Sequence, residues 1–501
     1  MKRLFFLLIF LTAPFLSSAR SELLLDLEGG KVQELDRLLE DSKKGTEPAQ
    51  TQYYLALKDL YAGDLENAQS RLIGISSAAY TYTDWLKNYL QEVVLIRSQM
   101  EEASSEHFVL RAKADELFLA EYALPALENA YEQIGKDLGV FPKEKISVEI
   151  YAEESNFSSA STLSKETLDR SGAIGICKFR RLMILSPRQM AIGYRWLDTL
   201  AHELTHYLVN AASGGKCPLW LHEGIAKYLE TRWRLEHPVY LTSGNRTLLA
   251  RAAQEGSLVP FARMAPSMVY LKDQTEIGLA FSQVSHAIDY AVQDHHVSLH
   301  NLLLKFDSET ADAAFHNAFG MSVGEFEVQW KKFLVAQNLT QSEGAMPDRI
   351  RLGKRVDEVE EFVSTNLRGH IRLGDRFRQR NNPEMAIIEY QKALAKEPSN
   401  PVALTKSARA YMLLGRSEMA ATRLQTCIKD NPGYPAAFLL LCDLWSQRGL
   451  WEESLKLALE ANAINPFDPY VHKKLSRIYK ELGKSKASES EAKIFDELQS
   501  Q

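Results

Sequence analysis

Two histidines four residues apart enclose a glutamate in His202-Glu203-Leu-Thr-His206, and a further acid, Glu223, follows seventeen positions later. On a helix, His202 and His206 share one face and can offer both imidazoles to a single ion, while Glu203 flanks that face. Two histidines and Glu223 would leave the fourth position of a tetrahedral Zn2+ for water, with Glu203 beside it as a base. The chemistry this predicts is metal-assisted hydrolysis of a peptide bond. Two plainer readings compete. The histidines could be surface residues of an ordinary amphipathic helix, because so short a pattern also arises by accident, or the centre could hold metal without catalysing anything.

The elements that must position these residues are legible around them. Tyr194 to Ala201 carries apolar residues at helical spacing without Pro or Gly, and Tyr207-Leu-Val continues the run to the Gly214-Gly215 break. This predicts one helix of about four turns through the motif. Pro218 marks a second start, and Leu219 to Trp233 reads as a helix that brings Glu223 against the first.

With both segments in view, the chain resembles the gluzincin metallopeptidases. Leu219-Trp-Leu-His-Glu-Gly-Ile-Ala-Lys-Tyr-Leu-Glu230 is similar to the second motif of the aminopeptidase N branch, with a slightly shorter spacing from the second histidine. The match is therefore closer to the smaller peptidase MA-like domains, often joined to tetratricopeptide repeats. Further segments resemble parts of that domain: Ser105–Arg111, Leu127–Tyr131 and Lys145–Tyr151 its opening strand, helix and next strand, Arg181–Pro187 the strand before the motif helix, and Gly320–Trp330 its closing helix. The resemblance implies that His202, His206 and Glu223 bind Zn2+, and that Glu203 takes a proton from water and passes it to the leaving nitrogen. It makes Glu230, or alternatively Asp198, the residue that orients a ligand from behind. Related enzymes offer a Tyr or His from a later helix to the developing oxyanion. Phe281 stands at that place here, so His286 or Tyr290 has to substitute. The aminopeptidase strand whose acid holds a free amine has its local match in Gly172-Ala-Ile-Gly-Ile176, which has no such acid. Endopeptidase action is therefore expected.

The C-terminal third shows a period of thirty-four. Pro398, Pro432 and Pro466 obey it, as do Gly415, Gly449 and Gly483, and Ala386, Ala420, Ser454 and Ser488. That is the tetratricopeptide period, with aromatics such as Phe377, Tyr411, Trp445 and Tyr479 as packing residues and a concave groove for a peptide or protein partner. A fainter echo at Leu55–Ala68 marks residues 20–104 as a helical, repeat-like region.

Met1 to Ala19 has a basic start, a short apolar run and a small-residue end, the pattern of a secretory signal, so an exported protein, periplasmic or secreted, is expected. No later run approaches the length of a stable membrane span. The 501 residues carry a net charge of −6 and are 45% apolar, and no basic face or RNA motif supports a nucleic-acid partner. Four cysteines are not a disulfide scaffold. Cys427 and Cys442 fall in helical stretches of adjacent repeats, which makes buried thiols the default, while Cys177 and Cys217 could pair across the peptidase region.

The chain thus reads as a multidomain, mostly α protein: signal 1–19, helical region 20–104, an α+β gluzincin-type metallopeptidase core at 105–340, a linker at 341–366 that lets the parts move relative to each other, and a tetratricopeptide α-solenoid at 367–501. The alternative is an envelope protein-binding scaffold whose zinc domain is structural or weakly active.

Overall fold

The computed structural model describes residues 32–44, 48–76, 83–353 and 357–500; the expected signal at 1–19 lies outside them. The protein is a multidomain, mostly helical fold with one small sheet. Among the described residues, four helices, Val32–Lys44, Pro48–Tyr61, Leu65–Arg71 and Thr83–Arg97, precede the sheet. Leu60, Leu65, Leu86 and Leu90 bury their side chains in the same core as the sheet, so this region is continuous with the domain it precedes.

The sheet has five strands: β1 (Glu101–Ser104), β2 (Phe108–Ala112), β3 (Ile146–Tyr151), β4 (Gly175–Lys178) and β5 (Arg181–Leu185), in the order β1-β2-β3-β5-β4. β2, β3 and β5 run parallel, and the edge strands β1 and β4 are antiparallel to their neighbours. Helix Ala120–Leu138 crosses from β2 toward β3, as a parallel pair requires. β5 is buried along its whole length, which fits its apolar Leu-Met-Ile-Leu run.

β3 and β5 nevertheless bury a charge pair. Arg181 donates to Glu149 at 2.8 Å and to the Tyr89 hydroxyl at 2.9 Å, and both charged side chains are fully inaccessible. Arg97 donates to the other Glu149 oxygen at 2.7 Å and Tyr151 donates at 2.5 Å. Burial works against an ionised Glu149, but Arg181 and Arg97 hold its carboxyl down to about 2. The cluster ties the fourth helix to the sheet.

Eight helices from Arg368–Gln379 to Ser485–Gln499 stack as four antiparallel pairs. Between the helices of each pair the chain turns through the left-handed region, at Gly415, Gly449 and Gly483 with φ of 68°, 72° and 72°, and at Asn381 with φ of 55° in the first pair. Glycine takes that conformation without a Cβ penalty and Asn tolerates it better than most residues. Ala386, Ala420 and Ser454 are fully buried where paired helices meet.

The stack is fastened to the sheet domain. Arg195 donates twice to the Pro432 carbonyl, at 3.1 and 2.7 Å, and once to Glu460 at 2.8 Å. The Trp196 indole donates to the Asn462 carbonyl at 3.2 Å, and the Tyr194 N–H to the Ile464 carbonyl at 2.9 Å. Gly193, at φ 78°, lies so close to the Ile464 carbonyl that a Cβ would overlap it. The segment expected to open a mobile linker is an ordered strap instead. Backbone N–H groups of Ser342, Met346, Asp348 and Ile350 donate to side chains of Thr247, Asn431, Asn245 and Gln274. Acceptors from both domains satisfy its backbone, and that is what holds it in place.

Candidate metal centre

Helix Trp196–Ser213 carries the motif and ends at Gly214 in the left-handed conformation, φ 58°. Helix Leu219–Leu229 follows, shorter than the sequence suggests. The His202 and His206 rings stand perpendicular with their Nε2 atoms 3.1 Å apart. Glu223 Oε2 lies 3.7 Å from the first of these atoms and 3.3 Å from the second. Donors on a tetrahedral Zn2+ at about 2.0–2.2 Å sit roughly 3.3–3.6 Å from one another, so shifts of a few tenths of an ångström would fit the three groups to that ion.

Glu203 is almost fully buried beside them, against β4. Its carboxylate accepts from the Cys177 N–H, Gly175 offers no Cβ to collide with it, and Oε2 has no partner among the described residues. Burial raises its pKa above the usual carboxylate range even though His206 and His202 act the other way. For Glu223 the balance is reversed. Burial opposes its charge, but His206 and His202 hold the carboxyl far below the usual range.

Glu230 is where the sequence puts it. Its Oε2 is 3.4 Å from His202 Nδ1, and its Oε1 accepts from Lys227 at 2.6 Å. Lys227 in turn lies 3.7 Å from Asp348 on the strap. Asp198 does not orient a ligand. It accepts from the Trp233 indole at 2.7 Å and from Arg234 twice at 2.9 Å, which fastens the first turn of the motif helix to the chain after the second helix. The residue behind His206 is one the sequence reading passed over, His222. Its ring stacks on His206 at 4.5 Å, and the two Nδ1 atoms are 2.8 Å apart, so His206 directs Nε2 at the centre. Burial and the facing His206 push His222 down to about 3. Its one sequence signal is its place next to Glu223.

Neither expected oxyanion donor reaches the site. His286 is buried, with Nε2 2.9 Å from Gln337 and Nδ1 accepting from the Trp330 indole at 3.0 Å. Tyr290 packs among Phe326, Phe333 and His295. Both are absent from the cleft wall, which does include Phe281, edge-on to His202 at 6.0 Å. Helix Gln274–Gln293 turns these two positions into the core.

The centre opens into a cavity of about 1110 Å³. β4 and Met268–Tyr270 line it, as do the turn Leu241–Arg246, strap residues Met346–Arg351, and Lys429 and Asn431–Tyr434 of the repeats. Cys177 and Cys217 also face it and are not joined in a disulfide, and burial raises the Cys217 pKa.

Residues 126–336 match the protein-family model of the peptidase MA superfamily. The chain carries a peptidase MA domain. That domain includes every residue of the candidate centre. The tetratricopeptide repeat and J domain-containing co-chaperone DNJ1 of Fusarium oxysporum f. sp. lycopersici is 33% identical over 73 residues, which cover 15% of this chain and 14% of that protein's length. Among solved structures, MamA is 18% identical, over 27% of this chain and 77% of its own, with a TM-score of 0.24. The first TPR of Spaghetti (RPAP3) bound to the HSP90 peptide SRMEEVD is 21% identical, over 24% of this chain and 97% of its own, with a TM-score of 0.23. The chain joins a peptidase MA domain to helix pairs that keep the thirty-four-residue tetratricopeptide period.

Proposed function

We propose that the protein is an exported, zinc-dependent endopeptidase whose repeats engage a protein partner or the substrate itself. One observation carries the reading: His202, His206 and Glu223 each bring a ligand atom within 4.8 Å of the others, beside a buried Glu203 whose Oε2 has no partner. When bound, zinc supplies Lewis acidity and makes a water acidic enough to lose a proton near neutral pH. The remaining work falls to the chain. Glu203 accepts that proton at Oε2 and returns it to the leaving nitrogen, a task suited by its raised pKa. The Cys177 N–H and the apolar wall keep its carboxylate in place. His222 and Glu230 hold the outer nitrogens of the two imidazoles and so fix the rings. β4 is the sheet's edge beside Glu203, and an extended peptide can add to such an edge by main-chain hydrogen bonds. No acid stands at Gly172–Ile176 to hold a free amine, which favours internal cleavage.

Hydrolysis of a peptide library by the zinc-loaded chain, beside Glu203→Gln, tests this. Cleavage of end-blocked peptides by the native protein alone is expected, and an intact library with zinc bound would overturn the reading. A second reading, a partner-binding scaffold with a weakly active or structural zinc site, has one observation in its favour: Phe281 lines the cleft while His286 and Tyr290 do not. Export is tested by fractionation of a tagged chain, which should be recovered outside the cytoplasm and shortened by the residues of the signal.

A further inference from the structure

The cleft has two unlike sides. Near the metal centre its wall is largely apolar, with Ile176, Met268, Val269, Ile277 and Phe281. The far side, built from the strap and the repeats, is cationic although the chain as a whole carries −6.

Four of the eight lysines and arginines lining the cleft are already neutralised by an acid, and Lys178 donates to the Thr162 hydroxyl at 2.8 Å. Arg234 binds Asp198, Arg195 binds Glu460, Lys227 binds Glu230 and Arg351 binds Glu361. Arg246, Arg349 and Lys429 are different. The side chains of Arg246 and Lys429 make no hydrogen bond or ion pair with a described residue, and that of Arg349 donates only to the Thr275 hydroxyl at 2.5 Å.

These three come from separate elements that meet at one turn. Ser243, one helical turn before Arg246, donates to Asp430 at 3.0 Å, and Lys429 is the residue before that acid. Asn245, adjacent to Arg246, exchanges two hydrogen bonds with Asp348, at 2.8 and 3.1 Å, and Arg349 follows it. The nearby carboxylates have hydrogen-bond donors of their own: Asp430 also accepts from Ser399 at 2.6 Å, and Asp348 lies 3.7 Å from Lys227, which it shares with Glu230. Gly244 lies against the Met346 carbonyl with no room for a Cβ, which holds strap and turn together.

We propose that this corner is a carboxylate subsite, and that the cleft takes extended peptides whose acidic group sits on Arg246, Arg349 and Lys429 while neighbouring residues occupy the apolar side. The subsite deepens the peptidase reading and rests on it for the word substrate. Lys429 makes the repeat domain part of the cleft's selectivity. Partly enclosed by low-dielectric walls, the surplus charge acts on a ligand more strongly than the same charge on an open surface.

The test is fluorescence anisotropy of end-blocked peptides, alike except for Glu or Gln at successive positions, on the full zinc-loaded chain with Glu203→Gln to prevent turnover. A third peptide, with Gln throughout and a free C-terminus, separates a side-chain carboxylate from a terminal one. The expected result is about tenfold tighter binding of one carboxylate-bearing peptide at low salt. That advantage should shrink as salt rises. It should disappear in Arg246→Gln/Lys429→Gln and survive in Lys429→Arg. Equal binding of all peptides, no binding of any, or an equal loss for Glu and Gln peptides in the double variant would overturn the subsite. Incubating the same peptides with the native chain separates the two ideas: selective binding without cleavage would end the peptidase reading and leave the subsite standing.

Discussion

At the scale of single residues, the centre depends on side chains one step behind the ligands. Glu203→Gln keeps the shape of the base and removes its basicity. Peptide hydrolysis is expected to fall by about 10²- to 10⁴-fold with zinc still bound, as steady-state rates and metal content would show together. Glu230→Gln and His222→Phe leave His202, His206 and Glu223 in place but release an imidazole from its outer partner. Each is expected to weaken zinc binding by about 10- to 100-fold, measured by competition with a chelator, and unchanged affinity would reduce these residues to packing. The inner residues were legible in the sequence because helical periodicity sets His202, Glu203 and His206 relative to one another before anything packs. Glu223 followed from a second helix with a marked start. The outer partners were half legible. Glu230 could be inferred from its spacing, but His222 acts by stacking on a ring of another helix, and Asp198 answers to Trp233 and Arg234, which lie on chain beyond the second helix. His286 looked available because it is an imidazole on the later helix that carries Phe281 at the expected donor's place. Its partners Gln337 and Trp330 come from the end of the domain, which no local pattern connects to it.

At the scale of elements, the sheet is held by charge as well as by apolar strands. β3 could be recognised from Ile-Ser-Val-Glu-Ile-Tyr, but the burial of Glu149 could not, because its cations sit on β5 and on the helix Thr83–Arg97. Losing one partner leaves a buried charge uncompensated, so Arg181→Met is expected to cost about 3–5 kcal/mol in urea denaturation. The pH dependence follows from the depressed carboxyl. Held at about 2 in the fold against an ordinary 4.5, Glu149 contributes stability that is fully present above about 4.5 and is lost as pH falls toward about 2. Denaturation midpoints measured from pH 6 downward should fall through this window, and the fall should be shallower in Glu149→Gln. The repeats illustrate the opposite case, since every position that fixes their geometry recurs at a period of thirty-four. Asn381 even stands at the turn position that Gly415, Gly449 and Gly483 hold in the later pairs.

At the scale of the molecule, the repeats and the peptidase MA domain share a hydrogen-bonded interface beside the segment that the sequence marks as a linker. Part of the reason the sequence does not show this interface is physical: several docking contacts use backbone carbonyls, at Pro432, Asn462 and Ile464, and a carbonyl has the same chemistry in every residue. Gly193 is the exception that could be tested from sequence. Gly193→Val forces a branched side chain into a left-handed turn that touches Ile464, and is expected to loosen the repeats while leaving each domain folded. Small-angle scattering should report a larger radius of gyration, and protease nicking should concentrate near 341–366. The joint also has a consequence in time. Tyr122 and Glu121 find their partners at Glu491 and Ser490, 369 residues later, and the far wall of the cleft is completed only by Lys429 and Asn431–Tyr434. A growing chain therefore holds all three metal ligands and the base long before it holds the wall that selects what they meet. On the proposed reading, catalytic parts come first and discrimination comes last, so the interval between them belongs to whatever keeps the unfinished chain away from zinc.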